Sequence, residues 1–257
     1  MKECIINKHN VVLYDSIDEL PMLRFHKYNK MLLVDAGVGS DLSDFDRHIE
    51  KVIRYLNSPT PNMAIVELEN MRQNIYFIQS EVSPRHLAFA VLVKSINGKP
   101  RNDLSDDGLQ QTMSLFKDVA NSEITAHLEA VKKKIDDELR LYFSRLFDDA
   151  TLKEYYDKLK QRTIVVLRTI IDGRATEADA KEIDDITAEL ITYFNPQTFT
   201  GSESVEIRHD RQFENMCLIL SQNLHVDPKK FTVLEYYNAF EYIKEQAKKA
   251  NKQKMAK

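Results

Sequence analysis

The densest run of proton-handling residues is Glu206-Ile-Arg-His-Asp-Arg211, where His209 and Asp210 stand side by side. An imidazole next to a carboxylate is the combination that general acid and base chemistry uses. No nucleophile is written directly beside the pair, and its alternating charges read as the solvated start of a helix joined by weak i, i+4 pairs.

Asp35-Ala-Gly-Val-Gly-Ser-Asp41 comes nearest to a phosphate-cradling loop. It lacks a third glycine, the phosphate-reaching lysine and a preceding parallel strand, so it reads as a cap and turn between two helices. The histidines are His9, His26, His48, His86, His127, His209 and His225, and no two share the i, i+3 or i, i+4 spacing that sets ligands on one helix face. Cys4 and Cys217 lie near opposite ends without a CxxC pair, which speaks against a disulfide framework or a zinc site. Glu67-Leu-Glu-Asn-Met-Arg-Gln-Asn74 is polar too, but Leu68 and Met71 belong to an apolar seam and the run reads as the wet face of a core helix. No metal, no cofactor and no catalysis is expected.

What remains is contact chemistry. Tyr155-Tyr156 and Tyr236-Tyr237, with Tyr242, are tyrosines at helical positions, and tyrosine suits interfaces because it buries area while keeping a polar tip. Phe199 is the one apolar residue in the polar stretch from Asn195 to Ser204, and Lys248 and Lys249 open an acid-free tail able to meet a phosphate backbone. Phe199, Tyr236, Tyr237, Lys248 and Lys249 are therefore the candidate contact residues. The bland alternatives are an amphipathic core edge for the tyrosines and a solvated tail for the lysines.

The elements that must position these residues are mostly helices. Six Gly, seven Pro and no Trp in 257 residues is a sparing use of turn formers, and 43% hydrophobic with 30% charged residues is an ordinary globular balance. A net charge of -4 excludes a general nucleic-acid-coating surface, though not a local basic patch. No apolar run approaches the ~18 residues of a membrane span, and the first residues are too charged for a signal peptide, so synthesis in a cytoplasm is expected.

Val11-Val-Leu-Tyr14 reads as a short strand or an extended arm. Helices are predicted over Pro21–Val34, from Ser40 or Asp41 to Leu56 with one stripe of Leu42, Phe45, Ile49, Val52, Ile53 and Leu56, and after Pro61 with a seam of Ala64, Leu68, Met71, Ile75 and Ile78. Leu87–Val93 reads as a short buried helix behind a Ser83 cap and Pro84. Asn97-Gly98 fits a hairpin turn between Val93–Ile96 and Lys99–Arg101 slightly better than a helix end.

A helix follows Ser105. A long one then carries Ile124, Leu128, Val131, Ile135, Leu139, Tyr142 and Leu146 on one face, and the next, ending at Gly173, is expected to fold back on it as an antiparallel hairpin. Thr176 with Asp179, and Thr232 with Glu235, read as capping boxes of later helices. The fold class is thus mainly all-α, a multi-helix bundle with a long helical hairpin, one small β-hairpin and an extended arm. The expected divisions are 1–120, 121–196 and 197–257.

The stretch Tyr14-Asp-Ser-Ile-Asp-Glu-Leu-Pro21, with Arg24-Phe-His-Lys-Tyr-Asn-Lys30, Asp35–Asp41 and the run from Glu67 to Asn74, resembles a segment of virion-associated proteins of tailed bacteriophages of gut Bacteroidales. The class it suggests is the neck and tail ring proteins of crAss-like phages. The resemblance implies a structural subunit of the virion: a homo-oligomeric ring between portal and tail that touches portal or other tail proteins, with nonspecific contact to passing DNA and none to membrane. It carries over no catalytic residues. The runner-up is a phage tail assembly chaperone, suggested by the Asp227–Glu235 segment and the lysine-rich end, and an enzyme with dispersed carboxylates is the third reading.

Overall fold

A computed structural model of the chain describes residues 1–34, 42–79, 83–144, 150–174, 176–193, 198–199 and 201–255. It is 71% helical, with ten α-helices and one small antiparallel sheet among the described residues. The mainly all-α expectation holds. The turn expected at Asp35–Asp41 and residues 195–197 and 200 of the arm expected from Asn195 to Ser204 fall outside the described residues.

Contacts divide the chain into two units, each built from separated segments: 1–36, 74–143 and 199–257 form the first, and 37–73 with 144–198 the second. The linear divisions 1–120, 121–196 and 197–257 do not coincide with this grouping, because reading along a chain cannot reveal which distant segments meet.

In the first unit, strands β1 (Lys2–Ile6), β2 (His9–Leu13), β3 (Val93–Ile96) and β4 (Lys99–Pro100) pair antiparallel in that order. The hairpin at Asn97-Gly98 forms as expected, with φ of 50° and 76° at the two turn residues. This is the left-handed backbone that Asn and Gly accept most readily. Val11–Leu13 is a strand rather than an arm, and it pairs with both β1 and β3. The β1 strand went unforeseen because its turn uses Asn7 and Lys8, at φ 46° and 65°, and Lys carries no turn signal.

Helix α1 (Met22–Val34) packs on α4 (Pro84–Leu92), whose Ala88 to Leu92 are all at most 2% exposed. Apolar character on every side is what a central helix requires, and Ala88 and Ala90 leave room for neighbours. Ser83 caps α4 as read, its Oγ accepting from the His86 N–H at 3.3 Å.

Helices α5 (Asp106–Ser114) and α6 (Asn121–Tyr142) cover other faces of α4. The α6 stripe from Ile124 through Leu139 is buried as expected, but Tyr142 turns outward at 62% exposure and Phe143 takes the buried place. Helix α9 (Val205–Leu224) packs on α1, and α10 (Val233–Met255) on both. The starts of α1 and α10 lie back to back through a Pro21–Thr232 bridge, with Met22 N–H donating to Phe231 O at 2.8 Å and Val233 N–H to Leu20 O at 2.9 Å.

In the second unit, α2 (Leu42–Leu56) and the part of α3 (Asn62–Gln79) up to Gln73 share a core of Val52, Tyr55, Ala64 and Met71. The long hairpin is formed by α7 (Ala150–Ile171) and α8 (Glu177–Tyr193), with Val165 and Ile186 at its centre. This corrects the partner of α7: α6 belongs with α4 in the first unit, and α7 with α8 in the second. Both predicted capping boxes are present, Thr176 N–H donating to Asp179 at 3.0 Å and Thr232 N–H to Glu235 at 2.8 Å.

Candidate interaction surfaces

Tyr236 and Tyr237 are brought together with residues of α1 and α9. They line a cavity of about 240 Å³ whose wall includes Met22, Phe25, His26 and Phe213. Tyr236 is buried and Tyr237 half-buried. Burial pushes both phenols above their ordinary range.

His209 lines this cavity, and the run does open α9 (Val205–Leu224) as expected, but His209 and Asp210 are half-buried against α1 and not simply solvated. The His26 ring slots between His209 and Phe213, with centroid distances of 4.3 and 4.1 Å and near-parallel planes. Asp210 bonds the His26 Nε2 at 2.9 Å and accepts from the Lys30 Nζ at 2.7 Å. Residues 209 and 213 are one helical turn apart, so the slot between them is a hole into which an α1 side chain fits. Burial holds His26 below the usual imidazole range despite its bond to Asp210. Burial alone would raise Asp210, but Lys30 and His26 outweigh it and hold the carboxylate low. The arrangement clasps α1 to α9, and no nucleophile stands in it.

Phe199 is half-buried in coil, apart from the tyrosines. Lys248 and Lys249 are exposed on α10, which continues to Met255. Lys, Gln, Ala and Met are good helix formers, and cations near a C-terminus favour the helix dipole. Among the described residues no group of three or more His, Cys, Asp or Glu could hold a metal ion, both cysteines are free, and no helix is long and apolar enough to cross a membrane.

The second unit holds the feature the sequence reading missed. On α7, Tyr156, Ile164, Leu167, Ile170 and Ile171 are 58%, 49%, 50%, 67% and 81% exposed. At ~100° per residue they occupy about a third of the helix circumference, opposite the buried Val165. The run from Ile164 to Ile171 thus wraps apolar residues round both sides of the helix, and α8 covers only one.

The α2–α3 pair repeats the pattern. Ile53 and Leu56 of α2 are 53% and 60% exposed, and Ile65 and Leu68 of α3 are 58% and 47% exposed. The expected stripe and seam therefore need correction: Ile53, Leu56 and Leu68 leave the core, while Glu67 and Asn70, read as a wet face, are 4% and 7% exposed. Glu67 turns inward because His48 Nδ1 hydrogen-bonds it there, with Lys51 at 4.0 Å. A helix that buries a paired carboxylate in its seam shows its apolar residues elsewhere.

In comparisons with protein-family models, with curated proteins and with solved structures, nothing matches this chain.

Proposed function

We propose that this chain is a structural subunit that works by protein–protein contact, assembling with its own kind as a ring in the neck or tail of a phage particle. The observation that carries this reading is the exposed apolar face of α7, Tyr156 to Ile171. Large apolar side chains gathered on one helix face cost free energy in water, at roughly 25 cal/mol per Å², and such patches mark contact surfaces. The likeness of Tyr14–Pro21, Arg24–Lys30 and Glu67–Asn74 to phage virion proteins supplies the particle setting, and the net charge of -4 fits contact with proteins better than a coating on DNA.

Mass spectrometry of purified particles from the phage that encodes the chain tests the reading. A virion subunit is recovered from finished particles in multiple copies. Recovery from infected-cell lysate alone would replace it by the assembly-chaperone reading, and a turnover measured on the free chain would replace both by an enzyme.

A further inference from the structure

We infer that the exposed face of α7 in one copy docks on the exposed α2–α3 face of the next copy, making a head-to-tail contact. The inference rests on the self-assembly proposed above and names the two surfaces that carry it.

Both surfaces belong to the second unit, where Arg54 of α2 also reaches Asp184 of α8 at 3.7 Å. Each is apolar and uncovered, yet they differ in shape and charge. The α7 face lies on a single helix, with exposed Lys160 within it and exposed Lys153 continuing its line toward the N-terminus. The α2–α3 face is a two-helix surface. Ile53 and Leu56 lie beside the buried seam of α2, and Ile65 and Leu68 beside that of α3. Helical periodicity puts both pairs on the same side of the hairpin, next to the short turn that joins the helices.

Exposed Asp46, Glu50 and Glu69 border this surface, while exposed Arg72, i+7 from Ile65 and i+4 from Leu68, lies on the α3 stripe itself, and Arg47 is exposed farther round α2. Lysines along one apolar face and three carboxylates bordering the other are complementary in sign, with Arg72 the one like charge on the α3 stripe. Together the nine apolar side chains leave roughly 1,000 Å² exposed, at the ~1,000 Å² a biological interface has to clear.

A symmetric α7–α7 pair would cover one surface and leave the α2–α3 face wet. Pairing unlike surfaces covers both. Because each copy then offers one of each, the contact repeats from copy to copy and ends in a ring if the rotation closes.

The test uses two full-length variants, Leu167→Asp with Ile170→Asp, and Ile53→Asp with Ile65→Asp. All four positions are at least 50% exposed, so the fold should persist, and circular dichroism checks this. Light-scattering mass should show the parent as an assembly, each variant alone as a single chain, and their equimolar mixture as a one-to-one pair, since each retains the surface the other lost.

If the second variant alone still pairs, the contact is α7 on α7 and the inference falls. If the parent assembles but the mixture stays single, the inference falls while the proposed function stands. A parent that stays single at every concentration overturns the docking, and its absence from particles overturns the function as well. Lys160→Glu gives a reading should the aspartates unfold a variant: it should weaken assembly at least tenfold, with recovery on adding chains carrying Glu50→Lys and Glu69→Lys. Indifference to both charge reversals would again overturn the docking.

Discussion

His26 shows how one side chain can hold two helices and make the hold depend on pH. Both His26 and Asp210 are harder to protonate in the folded chain than when free. Their contribution is therefore complete near neutrality and is lost on acidification, His26's as pH falls below 6.5 and Asp210's as it falls below 3.8. Burial lowers His86 and His127 too, so they add to the loss in the same direction. We expect the melting temperature to drop between pH 7 and 5, and His26→Phe, which keeps a ring in the slot but cannot titrate, to flatten part of that drop. An unchanged slope in scanning calorimetry would remove His26 from the account.

Arg24 is a second residue whose cost is visible. It is 5% exposed and meets no carboxylate, instead donating to the carbonyls of Val91 (2.7 Å), Val93 (3.2 Å) and Arg101, with the Tyr14 ring 5.3 Å away. It thus ties the end of α4 to the sheet. Arg24→Met would strand buried acceptors, and urea unfolding should show a loss of at least about 2 kcal/mol.

At the scale of elements, caps and stripes make separable contributions. Thr232→Ala removes the capping box of α10 and should cost about 1 kcal/mol. Leu128→Ala opens a cavity where α6 meets α4 and should cost ~2–5 kcal/mol. Denaturant midpoints that rank these two in the opposite order would mean that α10's start, held by the Pro21–Thr232 bridge, matters more than α6's packing.

These elements were also the legible ones. Ser83, Thr176 and Thr232 announce helix starts through side chains that bond the backbone within three residues, and the α6 stripe is apolar on one side only. Legibility ended where a helix is apolar on two sides. The stripe read from the sequence takes in Ile53 beside Val52, and α7 is apolar at Val165 on one side and at Leu167 on the other, but only packing tells which of them is buried. The His209–Asp210 cluster was noticed for its chemistry, yet its partner His26 lies 183 residues earlier in the chain, and no local pattern joins them.

On the scale of the whole molecule, the described residues of the two units are unequally provided with core. Among the described residues the second unit's buried apolar side chains are Val52, Tyr55, Ala64, Met71, Val165 and Ile186, while the first unit's include most of α4, the α6 stripe and the inner strands. The second unit should melt first, and any neighbour that binds it should stabilise it by mass action. A melting temperature that rises with protein concentration is expected, the gain reaching about 2.7 kcal/mol when the neighbour stands at ~100 times its Kd. A midpoint independent of concentration would argue that the second unit stands alone.

The bridge from Pro21 to Thr232 also sets an order of events during synthesis. Chains leave the ribosome N-terminus first, and the second unit's last segment ends at residue 198, before α9 and α10 have been made. The start of α1 must wait for residues 231–233 to receive its backbone partners. The docking surfaces of the second unit are therefore all translated while the first unit is still open, and the arrival of the last helix closes it. Translation itself acts as a clock, delaying completion of the first unit until the start of α10 has been made.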